Sequence, residues 1–106
     1  MAQEKTMAFR FNFADVQDND DSLIFDAICE DVDLAAKDKI ELEFSGDNLV
    51  FNPPKVALKD IFDQQSGHAH CKVLATPVAI PGAATAIMEV KVNGRGGPRI
   101  ERGFTL

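Results

Sequence analysis

The residues with the greatest potential for chemistry lie in one short stretch, 66–71, which reads Ser-Gly-His-Ala-His-Cys. It holds both histidines of the chain, His68 and His70, and one of its two cysteines, Cys71. Imidazole and thiolate both bind transition metals, and alternate residues of a strand share a face. His68 and His70 could therefore bind one ion together, whereas Cys71 would point to the opposite face. Because no second motif with zinc-ligand spacing accompanies the stretch, we predict two surface histidines, an inward thiol and no metal or other cofactor.

The two thiols are also candidates for nucleophilic catalysis, which needs a neighbouring base and an electropositive, partly exposed setting. Cys29 lies among acidic residues, which raise the pKa of a thiol. Cys71 lies between His70 and Lys72, a more activating setting, but on the inward side of the predicted strand. The sequence has no nucleophile elbow and no Walker-type phosphate loop. We predict that the chain is not an enzyme, and a small metal- or thiol-dependent enzyme stays an alternative.

One basic cluster follows near the end of the chain, where Gly94–Arg99 reads Gly-Arg-Gly-Gly-Pro-Arg and Arg102 lies just beyond. We predict a flexible loop here that presents Arg95, Arg99 and Arg102. Arginine binds carboxylate and phosphate in a bidentate manner. The chain as a whole has a net charge of −6 and contains no Trp or Tyr for base stacking. Direct nucleic-acid binding is therefore not expected, and carboxylates of a protein partner are the expected ligands.

The charge is distributed unevenly along the chain. Residues 1–64 hold 15 acidic and 6 basic side chains, a net charge of −9, and residues 65–106 hold 2 and 5, a net charge of +3. The helix predicted over 23–36 would carry three acidic residues on its solvent-exposed face: Asp26, Glu30 and Asp33. This charge pattern leads to two hypotheses: association between copies through acidic and arginine-containing surfaces, or an acidic inhibitor that mimics nucleic-acid phosphates and occupies a basic partner.

The first half of the chain is predicted to contain both strands and helices. Phe9, Phe11 and Phe13 alternate with polar residues, which indicates a half-buried strand over 8–13. Apolar residues at helical spacing predict a helix over 23–36, capped by Asn19 or Asp20. Two alternating segments predict a hairpin over 40–51, turning at Gly46-Asp47 and pairing Phe44 with Leu49 and Leu42 with Phe51. A short helix with Leu58, Ile61 and Phe62 on one face is predicted after Pro53-Pro54, ending near Gly67.

The second half is predicted to be strands. Segments 68–80 and 83–93 flank Pro81-Gly82 and are expected to pair around that turn, and 99–106 adds a last strand with Ile100, Phe104 and Leu106 inward. The predicted fold class is α+β: a mostly antiparallel sheet of about five to six strands with two helices packed on one face. All eight aromatic residues are Phe, which predicts that most of them lie in the core.

Length and composition complete the expectations. A chain of 106 residues predicts one compact domain over 1–106, with a polar N-terminal tail at 1–7. No apolar segment follows the polar start and none is long enough to cross a bilayer, which predicts no signal peptide and no membrane partner. Two cysteines do not indicate a disulfide framework, so we expect a cytoplasmic setting or an intracellularly assembled particle. The predicted function is non-enzymatic: a protein-interaction or structural assembly subunit that binds a protein partner or itself.

Overall fold

Residues 7–17 and 22–106, the part of the chain that the computed structural model describes, form strands and two short 3-10 helices. The 3-10 helices span Lys37–Lys39 and Leu58–Asp60. The strands are β1 (Ala8–Val16), β2 (Leu23–Glu30), β3 (Ile40–Asp47), β4 (Leu49–Asn52), β5 (Lys55–Ala57), β6 (Phe62–Asp63), β7 (His68–Pro77), β8 (Ala83–Val92) and β9 (Arg95–Thr105).

The strands form two antiparallel sheets that enclose one apolar core. The first sheet has the order β1-β2-β7-β4, with β6 also paired to β7, and the second has the order β5-β3-β8-β9. The buried apolar side chains belong to a single cluster between the two sheets. The predicted α+β class is therefore wrong, because among the described residues there is no α-helix and the architecture is a β-sandwich.

The largest error concerns the helix predicted over 23–36. Leu23, Phe25, Ala27 and Cys29 are buried and alternate with less buried residues, which is the period of a strand. The outward positions Ile24 and Ile28 are also apolar, and this produced the helical spacing. Pairing with β1 on one side and β7 on the other decides in favour of the strand. The predicted capping residues Asn19 and Asp20 lie outside the described residues.

The second predicted helix is also wrong. After Pro53-Pro54 the chain first forms β5, which pairs with β3, and only the three residues Leu58–Asp60 turn as a 3-10 helix. Leu58 is fully buried beneath this turn. Gly67 has a φ of 75°, and its N–H donates to the carbonyl oxygen of Asp63 at 2.9 Å, so it closes a turn before β7 instead of ending a helix.

The hairpin predicted over 40–51 is wrong in its pairing but right about which side chains face inward. Leu42, Phe44, Leu49 and Phe51 are all buried. However, β3 pairs with β5 and β8, whereas β4 pairs with β7 in the other sheet. The Phe44 and Phe51 rings therefore meet across the sandwich, with centroids 6.4 Å apart.

The chain crosses between the sheets at Asn48, between β3 and β4. Asn48 has a φ of 63°, a conformation that asparagine tolerates better than most residues. Its side chain accepts from the Ala79 N–H and donates to the Ala79 carbonyl oxygen, both at 2.7 Å. This holds the crossing against the connection between β7 and β8, which also passes from one sheet to the other. The predicted pairing of 68–80 with 83–93 is wrong for the same reason, although both segments are strands.

The last strand is longer than predicted. Asn93 and Gly94 have φ angles of 53° and 77° and lie between the paired residues Val92 and Arg95, which is the geometry of a two-residue type I′ hairpin turn. The segment Gly94–Arg99 is therefore mostly strand, and its prediction as a flexible loop is wrong. Ile100, Phe104 and Leu106 pack against the core as predicted.

Candidate interaction surface

One side of the sandwich is open between two edge strands. β1 lies at the edge of the first sheet and β9 at the edge of the second, and Arg102 connects them by donating from Nε to the carbonyl oxygen of Phe11 at 3.1 Å. Beyond this contact the two edges enclose a groove of about 550 Å³. Its principal apolar lining residues are Phe13, Val16, Leu23, Phe25, Phe104 and Leu106.

The groove exposes apolar side chains that a closed sandwich would cover. Phe13 is 54% exposed and Val16 is 43% exposed. The Phe25 ring lies beneath them, with its centroid 5.9 Å from the Phe13 ring and 5.9 Å from the Phe104 ring. A volume of this size falls in the range of known binding pockets, and an apolar recess beside an edge strand can accept side chains of a partner.

β9 presents a long main-chain edge beside this groove. It has 11 residues, and nine of them are exposed. It pairs with β8 on one side, and no strand among the described residues pairs with its other side. Such an edge offers a row of N–H and C=O groups to another chain. Sequence reasoning missed this surface, because the interpretation of Gly94–Arg99 as a loop left residues 95–98 out of the last strand, four of its 11 residues.

The structure does not bring the three predicted arginines together. Arg99 lies on the outer face of the second sheet, where its Nη2 is 2.8 Å from Oε1 of Glu101. Arg102 lies on the opposite face, opposite the buried Ala86, and borders the groove. Arg95 directly follows the hairpin turn. The three arginines therefore lie along one edge strand, with Arg99 and Arg102 on opposite faces of it, and do not form one cationic cluster.

The predicted acidic face is also divided. Asp26 and Glu30 share the outer face of β2, but each has a cationic or ionisable partner on a neighbouring strand. Oδ1 of Asp26 is 3.0 Å from Nε2 of His70, and Oε1 of Glu30 is 2.8 Å from Nε of Arg10. Asp33 lies beyond the strand and accepts from the Ala35 N–H at 3.0 Å. The three predicted carboxylates therefore do not share one face of a single element.

Within the histidine stretch, residues 68–71 are extended, as predicted, and form the start of β7, whereas Ser66 and Gly67 lie in the preceding turn. His68 and His70 flank the buried Ala69, and Cys71 is on the same inward side of the strand as Ala69. Nδ1 of His68 accepts from the Asp31 N–H at 3.3 Å. Over residues 7–17 and 22–106, no three His, Cys, Asp or Glu side chains are grouped so that they could hold a metal ion.

Neither thiol has the setting of a nucleophile. Burial raises the pKa of Cys29 to about 11, and the charges of Asp31 and Glu30 contribute in the same direction. Burial, with a contribution from Asp26, also raises the pKa of Cys71. Both effects disfavour the reactive thiolate at neutral pH.

Two further findings concern membrane-spanning helices and similarity to known proteins. In the described part of the chain, none of the helices has the length and apolar character needed to cross a membrane. Comparison of the sequence and the structure with protein-family models, curated proteins and solved structures found no match.

Proposed function

We propose that this chain is a non-enzymatic protein-interaction module, an assembly subunit that associates with another protein chain through the open side of its sandwich. The observation that carries the proposal is the edge strand β9 with the apolar groove beside it. When a strand of a partner is added to a sheet edge, main-chain hydrogen bonds along the edge provide affinity, and alternate side chains of the added strand enter the groove.

Two features of the surface support association over a small-molecule reaction. The groove is lined mainly by apolar side chains, and Arg102, the charged residue in its lining, uses Nε to bond the Phe11 main chain. The edge also has the length that strand pairing needs, since 11 residues exceed the usual strand. Charges and a proline on an edge strand disfavour unspecific pairing, so those of β9 would restrict pairing to a strand whose charges complement them.

The test compares two substitutions that each place a charge on an exposed apolar residue. Phe13→Asp alters the groove, whereas Val50→Asp alters β4 at the far edge of the first sheet, where the residue is 61% exposed. Sedimentation velocity of the purified chain and affinity capture from an extract of its own cells would be measured for both variants. We expect Phe13→Asp to abolish association and Val50→Asp to leave it intact.

Two results would contradict the proposal. One is a wild-type chain that stays monomeric at all concentrations and captures nothing. The other is association that Phe13→Asp and Val50→Asp leave equally unchanged, because the open side would then not be the surface in use. Circular dichroism of both variants is the control that they remain folded.

A further inference from the structure

The outer face of β9 carries two opposite charges two residues apart. Arg99 and Glu101 both point away from the core, and their side chains are 53% and 54% exposed. Between them Ile100 points inward and packs against the core. The sequence Arg-Ile-Glu at the middle of an unpaired edge is therefore an apolar residue flanked symmetrically by a cation and an anion.

We propose that the strand that pairs with β9 is β9 of a second copy, antiparallel, with the two-fold axis at Ile100. This inference rests on the function proposed above and names the partner. In this register Arg99 lies opposite the partner's Glu101, and Glu101 lies opposite the partner's Arg99. Ile100 of one copy meets its equivalent on the inner face. Opposite charges and apolar pairs across antiparallel strands are both favourable.

The charges select this register over its neighbours. A slip of one residue would place inward side chains opposite outward ones, so the allowed registers preserve the alternation of faces. Moving the axis one residue toward the start of β9 places Arg99 opposite its own copy in the partner. Moving it one residue toward the end places Glu101 opposite its own copy. Both alternatives put like charges directly across from each other, which is destabilising.

Pro98 and the two-fold symmetry of the contact limit the assembly to a dimer. Pro98 has no main-chain N–H to donate, and a proline on an edge strand restricts how far pairing extends. In the proposed register Pro98 lies opposite the partner's Arg102, so pairing is centred on 99–101. A two-fold contact uses the same edge on both copies, which leaves no β9 edge for a third copy.

The test uses charge reversal on the full chain, measured as the dimer dissociation constant by sedimentation equilibrium. Arg99→Glu creates two Glu–Glu contacts, and Glu101→Arg creates two Arg–Arg contacts, so we expect each single variant to weaken dimerisation by about tenfold or more. The double variant Arg99→Glu/Glu101→Arg restores opposite charges between the copies and should return to within about threefold of wild type, and because its carboxylate at position 99 faces Glu89 of β8 just as in Arg99→Glu, the comparison of these two variants isolates the contact between copies. Lys55→Glu, at the other edge of the same sheet, alters the net charge as much as Arg99→Glu does and should have no effect.

Mixing provides the sharpest result. A copy with Arg99→Glu has two anions at these positions, and a copy with Glu101→Arg has two cations, so a mixed dimer regains both opposite-charge contacts. We expect the mixture to associate more tightly than either variant alone. Association that Phe13→Asp abolishes but that is insensitive to these reversals, or a mixture no tighter than its components, would overturn the second-copy assignment while leaving the interaction function in place. A wild-type chain that never associates would overturn both.

Discussion

Removing the Phe11 ring should cost far more stability than removing the Phe13 ring, although the two residues are neighbours in the same alternating pattern. Phe11 is fully buried, and its ring lies 4.9 Å from Phe25 and 5.7 Å from Phe44 between centroids. Phe→Ala at a fully buried site typically costs about 3–5 kcal/mol. Since Phe11 also joins rings of both sheets, we expect about 4 kcal/mol for Phe11→Ala, a large part of the roughly 5–15 kcal/mol that stabilises a domain.

Phe13 provides the matched comparison. It is 54% exposed at the groove, so slightly less than half of its surface is buried. Scaling the cost with burial gives about 2 kcal/mol or less for Phe13→Ala. The free energy of unfolding would be measured by urea titration with far-UV circular dichroism, because the chain has no Trp or Tyr for fluorescence. Equal costs at the two positions would refute the assignment of Phe13 to an open groove, and with it the surface on which the proposed function depends.

Two further predictions concern the close approach of β3 to β8 and the ionisation of the Cys29 thiol. Gly46→Ala should lower the free energy of unfolding by about 1–3 kcal/mol or more, because the added Cβ would overlap the carbonyl oxygen of Thr85. Gly103→Ala is the control, because nothing lies within 4 Å of its added Cβ, and it should change the free energy of unfolding little in the same urea titration. Equal effects of the two substitutions would contradict the close approach of β3 and β8. The raised pKa of Cys29, about 11 in the folded chain, means that the folded state holds this proton more tightly than the unfolded state. Stability should therefore fall as the pH rises from the unfolded thiol value toward about 11, and the fall should be shallower in Cys29→Ala; identical slopes in the two proteins would refute the burial of this thiol.

The strand β1 and the inward residues of β3 and β4 could be predicted from the sequence. In β1 and β3 apolar residues recur at alternate positions, so a strand places them on one face, and in β4 Leu49 and Phe51 keep this spacing on either side of the exposed Val50. The extended conformation of the histidine stretch could be predicted for the same reason, and it separates His70 from Cys71. β2 could not be predicted, since Ile24 and Ile28 on its outer face made the pattern equally compatible with a helix.

The candidate site, like the fold, could be predicted from the sequence only in part. The individual arginines were identified from composition, but their arrangement required the hairpin turn at Asn93-Gly94, which converts a glycine-rich segment into the start of an edge strand. Phe13 was predicted to be a core residue from its place in the alternation. Its exposure arises because no strand among the described residues covers the side of the sandwich where β1 and β9 end the two sheets.

The sequence by itself determined which side chains are inward over much of the chain, because alternation along an extended backbone is a local property. It also determined that the aromatic rings of the core are phenylalanines, since the chain contains no Trp or Tyr. Only the tertiary structure decided which sheet each strand joins. The connections near Asn48 and between β7 and β8 cross from one sheet to the other. Two consecutive strands bury the same side chains whether they pair as a hairpin in one sheet or lie in different sheets. The edges, and therefore the surface available to a partner, follow from that choice of pairing and not from any local signal.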